Sequence, residues 1–202
     1  MKPPRPELSR EFVAVHKRRR MIDAIAELSA EQGYETTKIA DIVSRAGVAR
    51  KTLYDNFAGK EDLFLAAFDL YRDEALAAVE AACEESGDGW PQRVDAGLSA
   101  FLDYVAEHPA QARMCMVEAI SATPTASARY DAAVRRFVDL LRRGAPSEPG
   151  RPETIEESLL GGVAWILQRR IRGGEAEQAA ELLPELAQFV LSPYHGVTNS
   201  LR

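Results

Sequence analysis

The stretch that decides the fold is Gly33–Phe64, GYETTKIADIVSRAGVARKTLYDNFAGKEDLF. Its apolar residues fall only where two short helices would pack together. Ile39, Ile42, Val43 and Ala46 lie on one face of a helix running from Lys38 to about Arg45. Thr37 stands where its hydroxyl would cap that helix's first turn. Gly47 makes the turn. The next helix runs from about Ala49 to Asn56 and stacks Leu53 and Phe57 at i and i+4. Its other side carries Arg50, Lys51, Thr52, Asp55 and Asn56. Two helices joined by a short glycine-containing turn form a DNA-reading unit. The outward groups are of the kind that bond to base edges and phosphates. A purely structural hairpin needs no such concentration beside its turn.

Upstream, Ile22, Ile25, Ala26 and Ser29 share one face of a helix from about Lys17 to Gln32, with Gly33 as its stop. Downstream, Glu61 and Asp62 favour the start of a fourth helix after Gly59, because carboxylates suit the positive end of the helix dipole. That helix reaches about Glu85, roughly 38 Å at 1.5 Å per residue, long enough to link two domains. Further helices are expected from Pro91 to about Glu107, Ala110 to Ile120, Pro124 to Arg143, Glu153 to Arg172 and Glu175 to Leu191. Pro184 must kink or split the last of these, and residues 144–152, GAPSEPGRP, form a loop. The reading is an all-α chain of about nine helices. Residues 1–62 would make a helix-turn-helix DNA-binding domain with a basic N-terminal extension. Residues 63–202 would make a helical ligand-sensing and dimerisation domain.

Charge fits this division. The 202-residue chain carries a net charge of −6, split as +2 over residues 1–62 and −8 over 63–202. A mildly basic head on an acidic body suits a protein that touches phosphates at one end only. No apolar run approaches the roughly 18 residues that span a bilayer, and the basic start lacks the apolar core of a secretory signal. The expectation is a cytoplasmic protein with no membrane partner. Cys83 and Cys115 sit in apolar helical contexts without metal-ligand spacing and read as buried free thiols. The three histidines and the carboxylates show no nucleophile, metal or phosphate motif. No enzyme activity, metal or cofactor is therefore expected.

The segment from Arg18 to Asp69 resembles the tetracycline-repressor (TetR) family of bacterial one-component regulators. The residues that carry the resemblance are Gly33-Tyr34, Thr36-Thr37, Ile39-Ala40, Ala46-Gly47-Val48, Thr52-Leu53-Tyr54, Phe57, Lys60-Glu61 and Leu63-Phe64. The resemblance implies that the third helix enters the major groove of double-stranded DNA. Arg50, Lys51, Thr52 and Asn56 would then face base edges. Thr37, Tyr54 and Lys60 would hold phosphates, Lys38 would reach a base or a phosphate, and Arg18, Arg19 and Arg20 would follow the adjacent backbone or enter the minor groove. Two positions depart from the family pattern. Ala49 replaces the usual small hydroxyl residue at the third helix's cap, a loss of about 1 kcal/mol. Asp55 puts a carboxylate near phosphates, which either accepts from a cytosine amino group or points away from DNA.

Genomic specificity requires two such heads on a pseudo-palindromic site, hence a homodimer. The eighth and ninth helices are the expected dimer elements, with Gly161-Gly162 allowing close approach of a partner. Aromatic and methionine side chains on the fourth to eighth helices suit an adaptable apolar pocket. The ligand-binding candidates are Tyr71, Phe101, Tyr104, Met114, Glu118 and Trp165, with Met116, Phe137 and Gln168 on neighbouring faces. The resemblance implies a repressor, here one released from its operator by an apolar or aromatic small-molecule effector. A helical ligand-binding or adaptor protein without DNA binding, and an activator of the same fold, are the alternatives.

Overall fold

The computed structural model describes residues 10–87, 89–147 and 151–194, and among these every regular element is helical. The head consists of α1 (Arg10–Gln32), α2 (Ile39–Ala46) and α3 (Arg50–Asn56). The body follows with α4 (Lys60–Glu85), α5 (Trp90–Glu107) and α6 (Pro109–Arg113), then a single π turn (Met114–Glu118) and α7 (Ala119–Ala122). It continues with α8 (Pro124–Arg142), α9 (Ile155–Arg172), a 3-10 segment (Ala176–Leu182) and α10 (Leu183–Leu191).

The head is held together by the face expected for it. Ile22, Ile25, Ile42, Leu53 and Phe57 are buried in one cluster. Gly47 ends α2 in the left-handed region, at φ +60. The Val48 N–H returns to the Val43 carbonyl at 3.0 Å, which closes the turn. A Cβ at Gly47 would also strike the Arg20 guanidinium, 2.3 Å away. The left-handed backbone is what favours glycine here, since the flexible end of Arg20 can swing aside. Arg45 of α2 pairs with Glu27 and Glu31 of α1, each at 2.8 Å. These pairs are solvent-exposed, so they set orientation more than stability.

The cap of α2 differs from expectation. Thr37 is 1% exposed, and its hydroxyl donates to the Gly33 carbonyl at 2.8 Å. It thus fastens the α1–α2 connection, and α2 starts one residue later. Lys38 occupies the cap position, and its N–H bonds the Asp41 carboxylate at 3.1 Å. Ala49 precedes α3 without any side-chain cap.

Several boundaries also move. α1 begins at Arg10, seven residues before Lys17. The expected sixth helix is interrupted by the π turn. The expected ninth helix is split, with Pro184 in the first turn of α10 and a tighter 3-10 coil ahead of it. Proline lacks the N–H that an uninterrupted helix would need there. The head's core does not stop at Asp62. The same cluster runs through Leu63, Phe64, Phe68 and Tyr71 of α4 and takes in Met114 and Ala119. A second cluster fills the body, around Trp90, Leu102, Val163, Leu167 and Leu186.

Candidate DNA-reading face and ligand cavity

α3 has two sides. Leu53 is 0% exposed and fixes the inner side. Arg50, Lys51, Tyr54, Asp55 and Asn56 are exposed, with Thr52 half-buried between them. The Arg50 guanidinium lies 3.5 Å from the Tyr54 hydroxyl and 5.8 Å from its ring centre. Tyr54 is itself 49% exposed. Asn56 donates to the Thr52 carbonyl at 2.8 Å, which leaves its amide oxygen outward. Asp55 forms no ion pair with a described residue and stands on the same surface. The polar side of α3 is therefore continuous and uncovered.

The structure gives three of the other expected contacts work inside the protein. Thr37 is buried, so its hydroxyl is out of reach of a phosphate. The Lys60 ammonium donates to the carbonyls of Tyr34 (2.9 Å) and Glu35 (3.4 Å) and lies 4.1 Å from the Tyr34 ring centre. It ties the start of α4 to the α1–α2 connection. Arg19 pairs with Asp23 and Glu74. Lys38 remains exposed beside α2. Arg18 lies over the Phe57 ring at 4.9 Å, and Arg20 reaches the Gly47 carbonyl at 3.4 Å.

The body encloses a cavity of about 680 Å³ between α4, α5, α8 and α9. Tyr71, Phe101 and Tyr104 line it as expected, and so do Met116 and Phe137. Three expected ligand contacts do not. Met114 is fully buried in the core cluster shared with the head. The Glu118 carboxylate accepts the Tyr34 N–H at 3.2 Å and lies 3.8 Å from Arg113. It joins the π turn to the head. Trp165 is 59% exposed on the outer side of α9, beneath the Arg169 guanidinium.

Further wall residues lie on the apolar α4 face that helical spacing predicts, Phe68, Tyr71, Ala75 and Val79, and Cys83 extends that face by one more i+4 step. Leu98 and Tyr130 also line the cavity. Gln168 donates to the Tyr130 hydroxyl at 2.7 Å, so it acts behind the wall. Burial pushes the Cys115 and Cys83 thiols upward, which keeps both protonated and poorly nucleophilic. The lining residues that reach solvent are Glu84, Gly87 and Arg143, which places the mouth where α4 ends and α8 ends. Arg93 spans this mouth, donating to the Arg143 carbonyl at 2.9 Å.

A helix-turn-helix head with an open polar face, carried by a helical body with an apolar cavity, defines a one-component DNA-binding regulator. Residues 21–67 match the bacterial regulatory proteins of the tetR family. The HTH-type transcriptional activator FasR of Mycolicibacterium smegmatis is 28% identical over 149 residues, 71% of this chain and 67% of that protein. The aligned stretches span less than half of two other curated relatives. The fold is shared with FadR of Bacillus halodurans, at a TM-score of 0.78 and 17% identity, covering 98% of this chain and 100% of that one. It is shared too with FadR of Bacillus subtilis, whose structure holds stearoyl-CoA. That likeness has a TM-score of 0.76 at 17% identity, over 88% of this chain and 99% of that one. The chain thus carries the tetR-family regulatory domain over residues 21–67 and is a DNA-binding transcriptional regulator of that type.

Proposed function

We propose that this regulator is a homodimeric repressor that leaves a palindromic operator when an amphiphilic ligand with a long apolar chain enters its cavity. In this reading residues 1–62 form the DNA-binding domain and 63–202 the sensing and dimerisation domain. Arg50, Lys51, Thr52 and Asn56 read base edges, while Tyr54 and Lys38 hold phosphates. The protein works in the cytoplasm and catalyses no reaction.

The observation that carries the ligand class is the shape and chemistry of the cavity. Its wall runs along α4 from Phe68 to Glu84, about 24 Å at 1.5 Å per residue. Apolar and aromatic side chains dominate it; of the charged lining residues, Arg72 and Glu80 lie along α4, and Glu84, Arg93 and Arg143 gather at the mouth. An extended chain with a polar head matches such a site better than a compact polar metabolite does. The stearoyl-CoA bound to FadR of Bacillus subtilis is a molecule of this class.

The dimer reading rests on the outer side of α9 and α10. Trp165 and Phe189 are large and exposed there, and Gly161 has open space where a Cβ would stand. Exposed aromatic side chains on adjoining helices mark an association surface. Gly162 has its own explanation within the chain, since a Cβ there would lie 3.1 Å from the Phe189 ring.

Selection of bound duplexes from a random pool, followed by gel-shift titration with stearoyl-CoA, tests the reading. A palindromic consensus whose binding stearoyl-CoA weakens is expected. Selection without a consensus, or a consensus indifferent to every long-chain acyl ligand tried, would overturn it.

A further inference from the structure

Two phenols on the cavity wall are wired to the head. Tyr104 donates its hydroxyl to Glu74 of α4 at 3.2 Å. Glu74 also receives the Arg19 guanidinium of α1 at 2.7 Å. Arg19 bonds Asp23, one turn further along α1, at 2.8 Å. Asp23 in turn accepts the hydroxyl of Tyr71 at 2.7 Å. The Arg19 guanidinium sits 5.5 Å from the Tyr71 ring centre. The five side chains thus link two residues of the ligand site to α1, whose next residues, Met21, Ile22 and Ile25, lie in the same core cluster as Leu53 of α3.

We propose that the Tyr104–Glu74–Arg19–Asp23–Tyr71 network is the element that transmits cavity occupancy to the reading head. It rests on the reading that the cavity takes a ligand. A ligand that displaces the two phenols breaks the bonds that fix Glu74 and Asp23, and Arg19 loses its seat between them. α1 then reorients on α4 and carries α2 and α3 with it. The energetic balance suits a switch. Arg19, Glu74 and Asp23 have side chains 44%, 35% and 35% exposed, so each ion pair is individually weak. Tyr71 is 2% exposed, so when Asp23 moves away its hydroxyl meets no ready water and turns to the Gln111 side chain on the cavity wall. The phenols, not the ion pairs, therefore decide the arrangement. Burial, followed by the Asp23 bond, raises the Tyr71 hydroxyl far above its ordinary value, and burial with Glu74 does the same at Tyr104. Both remain proton donors at any working pH, so occupancy and not acidity is the input. Two other polar joints between body and head, Glu118 to Tyr34 and Lys60 to Tyr34, involve no cavity-lining side chain, whereas Phe68 lines the cavity and packs into the shared apolar cluster without any polar link to α1.

The test cuts the network without touching the cavity wall. Glu74→Leu with Asp23→Ala removes both acceptors, so neither phenol keeps its bond and Arg19 keeps no seat between them. The affinity for the selected duplex is measured with and without saturating stearoyl-CoA, for the wild-type protein and the double variant. Wild-type protein should lose about tenfold, inside the 5–150-fold span usual for coupled sites. The double variant should still bind stearoyl-CoA but change its duplex affinity by less than about twofold on doing so. Undiminished coupling in the variant would overturn the proposal. A second arm needs no ligand. Leu98→Trp on the cavity wall acts as a fixed occupant, and should weaken duplex binding in the wild-type background but not in the double variant. Equal effects in both backgrounds, or none in the wild type, would also overturn the network. Indifference of the wild-type protein to stearoyl-CoA, with the Leu98→Trp arm behaving as expected, would instead reject the ligand class and retain the network.

Discussion

Single residues show best where sequence reasoning is strong and where it stops. Leu53 was assigned to the core from its i+4 partner Phe57, and it is fully buried. Truncating it removes the main inner contact of a seven-residue helix. Leu53→Ala should cost about 2–5 kcal/mol, the range for buried leucines, and chemical denaturation measures it. Thr37 departs from its expected capping role because a hydroxyl before a helix has two equivalent local options. It can accept from the first turn or donate backwards, and only the position of the Gly33 carbonyl decides. Glu156 escaped the sequence altogether. Its carboxylate is nearly buried, accepting from the Tyr194 hydroxyl at 2.8 Å and facing Arg142 at 3.3 Å. Burial opposes its charge, but the Tyr194 bond, a backbone N–H and Arg142 outweigh that and hold it below its ordinary 4.5. Its partner Tyr194 is pushed up to about 12, by burial first and then by Glu156, and so stays a donor. A carboxyl lowered in the folded state stabilises above its unfolded value, and that stabilisation fades as pH falls through the folded value. Glu156→Gln should therefore lower the melting temperature at pH 7, and the gap to wild type should close below about pH 4.5 in thermal melts across pH.

At the level of elements, periodicity located nearly every helix but not every helix's surroundings. α3 was legible because its two sides differ in kind, apolar against polar. α9 was not, because apolar residues occur all round it. Leu159, Val163, Leu167 and Ile171 face the core, whereas Trp165 stands on the opposite side. A sequence in which both sides are apolar cannot say which side meets a cavity and which meets a partner. The π turn at Met114–Glu118 was equally hidden, since its extra residue leaves no mark on composition. The exposed side of α9 yields a prediction that belongs to the helix as a unit. Trp165→Glu places a charge in the middle of the proposed dimer face, where an unpaired charge is costly to bury. Sedimentation should show the dimer shifting to monomer at micromolar concentration, with the far-ultraviolet helical signal retained. A dimer unchanged by the substitution would move the interface elsewhere.

For the whole molecule, charge and symmetry act together. Residues 63–202 carry a net −8 against +2 for residues 1–62, so the balance of charge favours approach of a duplex to the head. Each lysine that neutralises a phosphate releases condensed counterions, and contributes about 0.9 to the slope of log affinity against log salt. This makes the slope a count of contacts, and in a dimer every substitution is counted twice. Lys38→Ala should therefore flatten the slope by about 1.8 if two heads engage one operator, and by about 0.9 if a single head binds. Asn56→Ala supplies the contrast. Its amide is uncharged, so the slope should stay as in wild type while the preference at one or two base positions in each half-site relaxes. Fluorescence anisotropy from about 50 to 200 mM salt, on the selected duplex and on a scrambled one, separates the two behaviours. A Lys38 effect near 0.9 on a palindromic duplex would mean that only one head is seated. That result would contradict the symmetric arrangement even if Trp165→Glu had already dissociated the dimer in solution.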